Sequence, residues 1–265
     1  MPASPMSCEP MSEPAGDITE DAFLGGKLRL RQPKSGHRAG HDAMLLAAAT
    51  PARPGDRVVD FGAGVGAAGL AVAARVAGIR LVLVDADARL AQMAQANAVG
   101  NGIAAETHVL DVTSGAESFA SVGLAPDSAD VVLMNPPFND ASRHRASPDK
   151  TREFAHVAVA ETLEGWIHAS RRMLKSGGNL VMIWRADEIA QLLAVLGRGF
   201  GSLMILPVHA DAASPAIRVL VRATKGGRAP TRLLAALVLN DETARPTPDT
   251  RKILAGEGRL PLAMP

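Results

Sequence analysis

Tyrosine is absent from this 265-residue sequence, and six phenylalanines and two tryptophans supply all its large aromatic rings. A core must therefore be assembled from alanine, valine and leucine, and any aromatic outside a core pattern becomes a candidate for ligand contact. Cysteine occurs once, at Cys8, which excludes an internal disulfide and a thiolate zinc site. No apolar run is long and charge-free enough to span a bilayer. With a formal net charge of +1, the overall balance does not announce a polyanionic partner. Basic residues are missing from residues 1–21, where Glu9, Glu13, Asp17, Glu20 and Asp21 stand among Pro, Ser, Met and Ala. That composition is read as a disordered acidic tail. It has neither the basic start nor the apolar segment of a secretory leader, so a soluble, cytoplasmic protein is expected.

What is present is ample core material, with 47% apolar and 21% charged residues, enough for one large α/β domain. Residues 23–32 alternate around Gly25-Gly26 and suggest a hairpin. A helix follows from His41-Asp42 to about Thr50, closed by Pro51, Pro54 and Gly55. The chain then alternates strands, expected at 57–61, 80–84, 106–110, 129–134 and 179–183, with helices at 67–76, 87–99, 114–121, 159–174 and 187–196. Asp87 and Ser114 have the short polar side chains that cap helices. Apolar strands alternating with helices argue for a parallel sheet covered on both faces. Runs at 202–207 and 216–223 read as a terminal antiparallel pair, and 233–239 as an edge strand before a loosely packed C-terminus. Trp166 and Trp184 fall in core patterns. The expected division is a tail at 1–21, one domain over 22–240, and a C-terminal extension at 241–265.

Two motifs carry chemistry. In the first, Val58-Val59-Asp60-Phe61-Gly62-Ala63-Gly64-Val65-Gly66, an apolar strand enters a glycine turn that admits a ligand close to the backbone, ahead of a helix N-terminus. Alone it is ambiguous, because residues 62–67 also satisfy the dinucleotide pattern G-x-G-x-x-G/A. Asp85 and Asp111 end the next two strands, so three acids point to the carboxyl edge of the sheet. Asp85 would serve the ribose of a nicotinamide dinucleotide as well as that of another nucleoside, but Asp60 in the turn disfavours a pyrophosphate.

The second motif, Asn135-Pro136-Pro137-Phe138, ends the strand at 129–134 on the same edge. A base's exocyclic amine, or a carboxamide nitrogen, has a delocalised lone pair and is a poor nucleophile. The Asn135 amide oxygen and the Pro136 carbonyl can accept both amine hydrogens and draw the nitrogen toward tetrahedral geometry. The two prolines stiffen the loop, and Phe138 offers a face for an unstacked base. No strong general base is needed, because the proton can leave after transfer. The plainer alternative is that Pro-Pro ends a strand and Phe138 packs inside.

Together these motifs resemble the small-domain, N-methylating branch of the class I S-adenosylmethionine (SAM) methyltransferases. The upstream stretch Gln32-Pro33-Lys34-Ser35-Gly36-His37-Arg38-Ala39-Gly40-His41-Asp42-Ala43 is similar to the segment preceding the fold in the bacterial tRNA1(Val) (adenine-N6)-methyltransferase family. The similarity covers roughly residues 20–245. It implies a Rossmann-like α/β fold with a mostly parallel seven-stranded sheet and a terminal antiparallel hairpin, SAM as cofactor, and adenine-N6 methylation in a tRNA anticodon loop. Asn135, Pro136 and Phe138 would then be catalytic. Asp60, Phe61, Gly62, Gly64, Asp85, Ala86, Asp111, Val112 and Asn135 would hold the cofactor, with Asp60 on its amino group, Asp85 on the ribose hydroxyls and Asp111 on the adenine amine. Two positions depart from the family. Phe138 stands where Tyr is more common, and Phe is frequent there in guanine-N2 rRNA methyltransferases; His41 stands where a small hydroxyl residue is common beside the cofactor carboxylate.

Charge distribution supports RNA as partner, and the resemblance implies that this RNA is a tRNA. Lys27, Arg29, Arg31, Lys34 and Arg38 form one acid-free cluster, and Arg218, Arg222, Lys225, Arg228 and Arg232 another. Arg143, His144, Arg145, Lys150 and Arg152 follow the target motif, diluted by Asp140, Asp149 and Glu153, in a loop where substrate would enter. His37 and His41 lack further ligands at metal spacing, so no metal is assigned. Monomer and homodimer both stay open. The rival readings are guanine-N2 methylation of rRNA, glutamine-N5 methylation of a protein, and a non-catalytic RNA-binding module, against which the intact target motif speaks.

Overall fold

A computed structural model describes residues 18–35, 38–137 and 150–264, with the helical backbone alone over 150–161. Val58, Val59 and Phe61 are fully buried because β3 (Arg57–Phe61) lies in mid-sheet with both faces covered. It pairs in parallel with β4 (Arg80–Asp85) on one side and β6 (Ala129–Met134) on the other. β5 (Ala105–Val109) continues the parallel set beyond β4, and β7 (Leu174–Arg185) beyond β6. β9 (Ala216–Lys225) is antiparallel to β7, and β8 (Phe200–His209) antiparallel to β9. The seven-stranded sheet with its terminal antiparallel hairpin is therefore as expected. Two short segments extend it: β10 (Arg232–Leu233) and β11 (Leu237–Val238) both run parallel to β8, drawn from the apolar run at 233–239.

Strand periodicity divides the core in two. In β4, Leu81 and Leu83 face one cluster, and Val82 and Val84 the other. The first face carries α1 (His41–Ala49), α2 (Ala67–Arg75) and α3 (Ala88–Gly100). The second carries α4 (Ala116–Ser121), α5 (Lys150–Met173) and α6 (Ile189–Leu196). Trp166 and Trp184 are both buried in the second cluster. Asp87 caps α3, accepting from the amides of Arg89 (2.8 Å) and Leu90 (3.4 Å).

Several expectations are corrected. Ser114 does not cap α4. The helix starts one residue later, at Ala116 after Gly115, because Asp111 folds residues 111–114 into a turn. α5 starts at Lys150, ahead of the expected 159, which puts Lys150 and Arg152 on a helix rather than in a loop. Residues 138–149, Phe138 among them, lie outside the described residues.

The proposed tail is also shorter than expected, since β1 (Ile18–Phe23) pairs with β2 (Leu28–Pro33). Its acids are answered: Glu20 meets Arg29 across the hairpin at 3.3 Å, and Asp21 meets Arg38, beyond the end of β2, at 2.7 Å. The rest of that tail, residues 1–17, lies outside the described residues. Two asparagines, one in α3 and one just past its end, dock the hairpin. Buried Asn97 accepts from the Arg31 amide (2.8 Å) and donates to the carbonyls of Arg31 and Val65 (2.9 Å each). Asn101 repeats the exchange with Arg29.

The C-terminal segment is not loose either. Thr247 and Pro248 begin α7 (Pro248–Leu254), with Thr247 Oγ1 accepting from the Thr250 amide. Leu260 and Leu262 are buried, the Leu260 amide donates to Ala48 O at 2.9 Å, and Arg222 donates to the carbonyls of Leu262 and Met264. Burying two leucines on α1 contributes about 3–6 kcal/mol before ordering costs, and that fastens the segment. Among the described residues no helix is long and apolar enough to cross a membrane.

Candidate functional site

The chain leaves β3 toward β4 and leaves β6 toward β7, in opposite directions across the sheet. A crevice opens at the carboxyl ends of β3 and β6, the place where open α/β sheets bind ligands. The glycine turn forms its floor. Gly62 has φ of 66° and no room for a side chain, since an added Cβ would sit 2.4 Å from the Trp166 ring. Gly64, at φ 56°, faces open space where a Cβ would stand. Gly66, also left-handed at φ 86°, opens α2. A cavity of about 310 Å³ lies here, walled by residues 38–43 and 62–65 together with Asp60, Leu90 and Asn135. That size suits a nucleoside-like ligand.

Asp60 is 2% exposed and accepts from the Gly69 amide of α2 at 2.8 Å. Burial pushes its pKa up to about 7. The Gly69 hydrogen bond opposes this and nearby Asp85 adds to it. A cationic ligand group is what this carboxylate lacks. Asp85 braces the turn, one oxygen accepting from the Gly64 amide (2.7 Å) and the other from the Asp87 amide (2.9 Å). Each oxygen keeps a lone pair for a hydroxyl. Asp111 sits at the end of β5 and accepts from the amide and hydroxyl of Thr113.

Asn135 leaves β6 into the cavity wall. Its Oδ1 is buried and has no hydrogen-bond partner among the described residues. Such an oxygen costs on the order of 1–3 kcal/mol until a donor reaches it. Pro136 beside it is buried and Pro137 exposed.

Of the residues the sequence singled out, Asp60, Gly62, Gly64 and Asn135 meet in this cavity. Asp85, Ala86, Asp111 and Val112 lie along the same sheet edge but do not line it. Phe61 points into the second core, edge-on to Phe119 with ring centroids 5.8 Å apart. Of the other wall, the resemblance had set only His41 beside the cofactor. Arg38 to Asp42 closes the cavity from the hairpin side, and Trp166 lies under Gly62. The stretch from Gln32 to Ala43 was the available signal, and it left the part played by Arg38 and the docking of the hairpin unread.

The basic clusters look different in three dimensions. Arg29 and Arg38 meet Glu20 and Asp21, Arg218 meets Asp42 at 3.0 Å, and Lys225 meets Asp127 at 2.6 Å. Lys34, Arg228 and Arg232 have no ion pair among the described residues. No group of three or more His, Cys, Asp or Glu able to hold a metal occurs among them.

The open glycine floor, the buried carboxylate without a cation and the orphaned amide oxygen together fit SAM and an amine acceptor. Comparison with known proteins supports the cofactor part of that fit. A family model described as "Methyltransferase small domain" matches residues 35–208. A tRNA1(Val) (adenine(37)-N6)-methyltransferase from Dickeya chrysanthemi is 27% identical over 221 residues, covering 78% of this chain and 82% of the relative. The crystal structure of a predicted O-methyltransferase from Agrobacterium tumefaciens is 30% identical with a TM-score of 0.69, covering 83% of this chain and 98% of that one. A Thermus thermophilus 16S rRNA N2 G1207 methyltransferase, in complex with AdoMet (SAM) and guanosine, is 18% identical. Its TM-score is 0.54 with 78% and 50% coverage, a likeness of fold alone.

Proposed function

We propose that this chain, a SAM-dependent methyltransferase of the methyltransferase small-domain family, is an N-methyltransferase whose acceptor is an exocyclic amine of a nucleobase in RNA, adenine N6 in a tRNA. The observation that carries this reading is the buried Oδ1 of Asn135 on the cavity wall, without a partner among the described residues. Bound SAM supplies an electrophilic methyl group. Asn135 Oδ1 and the Pro136 carbonyl accept the two amine hydrogens, which withdraws the nitrogen lone pair from the base and aims it. The second amine proton then leaves to solvent, so no general base is required. Gly62 and Gly64 give the cofactor backbone access, Asp60 takes its ammonium, and Asp85 and Asp111 serve ribose and adenine. Phe138 follows the motif and is assigned the stacking role on sequence grounds.

The choice of tRNA rests on the Dickeya relative's name. Lys34, Arg228 and Arg232, without ion pairs among the described residues, suit phosphate contacts that position without reading sequence. Transfer of labelled methyl from SAM to total bacterial tRNA and to rRNA, followed by nucleoside chromatography, tests the assignment. The expected product is N6-methyladenosine in tRNA. N2-methylguanosine in rRNA keeps the amine chemistry and overturns the substrate. A 2′-O-methylnucleoside overturns the amine chemistry. Label in protein alone moves the acceptor to a glutamine amide, and RNA binding with no label anywhere makes this a binding module.

A further inference from the structure

SAM's amino-acid end carries an ammonium and a carboxylate, and Asp60 answers only the first. Among the described side chains lining the cavity, the acids are Asp42 and Asp60, and the residues able to be cationic are Arg38 and His41. Asp42 is already committed to Arg218 at 3.0 Å. We infer that Arg38 is the counter-ion of the cofactor's carboxylate and that Asp21, from the first strand of the hairpin, is the residue that positions it. This rests on the SAM reading of the cavity.

Arg38 has five N–H donors. Nη1 donates to Pro33 O at 3.1 Å and Nη2 to Asp21 Oδ2 at 2.7 Å, which leaves Nε and one hydrogen on each terminal nitrogen without a described partner. A guanidinium binds one carboxylate through one edge and keeps another edge for a second. The Asp21 side chain is 37% exposed, so water screens it and the guanidinium is not fully neutralised.

The same Asp21 oxygen accepts from Gln32 Nε2 at 2.6 Å and from Thr19 Oγ1 at 2.9 Å. Gln32 is itself buried, and its Oε1 takes the Ala39 amide at 3.0 Å. One side chain thus fixes the backbone beside Arg38 while Asp21 fixes the guanidinium, and both belong to a hairpin that Asn97 ties to the glycine turn. The bond from Gln32, then that from Thr19, holds the Asp21 carboxyl below its ordinary range, so the clasp stays ionised at neutral pH. The hairpin is therefore part of the cofactor site rather than an ornament on the fold.

The test compares two ligands by calorimetry on the full chain. S-adenosylhomocysteine carries the carboxylate, and 5′-S-(3-aminopropyl)-5′-thioadenosine is the same molecule without it. Arg38→Met should weaken the first by about 10- to 100-fold, the worth of a charge-assisted hydrogen bond, and the second by less than about twofold. Arg38→Lys should fall between wild type and Arg38→Met for S-adenosylhomocysteine. Asp21→Asn keeps the side-chain shape and should lose about 3- to 10-fold for the carboxylate ligand only. Equal loss for both ligands means Arg38 merely supports the wall, and no loss means it does not touch the cofactor. Either result overturns the assignment. Failure of the wild-type protein to bind either ligand is a different result, since it removes the cofactor reading and the inference with it.

Discussion

Replacing Asp60 by Asn should stabilise the protein above neutral pH and change it least near pH 4. The carboxylate is buried on the strand that anchors the site, and among the described residues only the Gly69 amide, at 2.8 Å, helps to hold its charge. Its folded pKa of about 7 stands roughly three units above the ordinary value of 3.8. Because the shift is upward, the folded state holds a proton that the unfolded state has released between about pH 4 and pH 7. That stabilisation is complete below pH 4, declines as pH rises, and is gone once pH passes 7. At about 1.4 kcal/mol per unit, the ceiling is about 4 kcal/mol, and relaxation around the site lowers it to an expected ~2–4 kcal/mol. Asparagine keeps an acceptor for Gly69 and cannot ionise. Urea denaturation of both proteins at pH 4, 5.5, 7 and 8.5 isolates the effect, because every other titrating group is common to the two. The stability gap should widen from pH 4 to pH 7 in favour of the Asp60→Asn variant and then level off. A gap that is constant over the whole range would refute the argument that burial controls this carboxyl. The same substitution should weaken S-adenosylhomocysteine binding, so stability and function move in opposite directions.

Asn135→Ala should lower turnover by at least 100-fold while S-adenosylhomocysteine affinity, read by calorimetry, stays within about threefold. Parallel loss of both would mean that Asn135 serves the cofactor rather than the acceptor. Gly62→Ala combines a left-handed backbone with a 2.4 Å approach to Trp166 and should cost about 2–5 kcal/mol by chemical denaturation. Trp166→Phe in the same protein should return at least ~1 kcal/mol, and strict additivity of the two changes would show that the ring is not the obstacle. Leu262→Ala should cost about 2–4 kcal/mol, as expected for a fully buried leucine, and a change below ~0.5 kcal/mol would return the C-terminal segment to the loose state its composition suggests.

The sheet was legible because its strands are short apolar runs bounded by glycine, proline and acid. Val58–Phe61 and the run before Asn135 could be set on one edge with no knowledge of their partners. Asp87 announced its helix for the same local reason. The misses share a different cause, which is dependence on residues far away in sequence. Glu20 and Asp21 look like tail acids until Arg29 and Arg38 are brought opposite them. The acid-free basic runs look like an RNA surface until Asp42 and Asp127 arrive from 176 and 98 residues away. Thr247-Pro248 carried a readable helix start, but the proline-rich composition around it argued the other way. For the site, residue types and spacing gave Asp60, the glycines and Asn135. The wall from Arg38 to Asp42 depends on how the hairpin docks, and that is decided by Asn97, a polar residue in a helix that offers no pattern to read.

α1 has seven of its nine residues buried, from Ala43 to Ala49, and part of its cover comes from α7 and from Leu260 and Leu262, near the other end of the sequence. On a translating ribosome this helix emerges roughly two hundred residues before the segment that shields it. At about 5–20 residues per second, the part of its apolar surface that this segment covers waits roughly ten to forty seconds. Throughout that interval the half-made protein presents an alanine- and leucine-rich face to other nascent chains and to chaperones. Sealing of this face, and with it escape from that risk, waits until residues 248–262 have emerged and folded back.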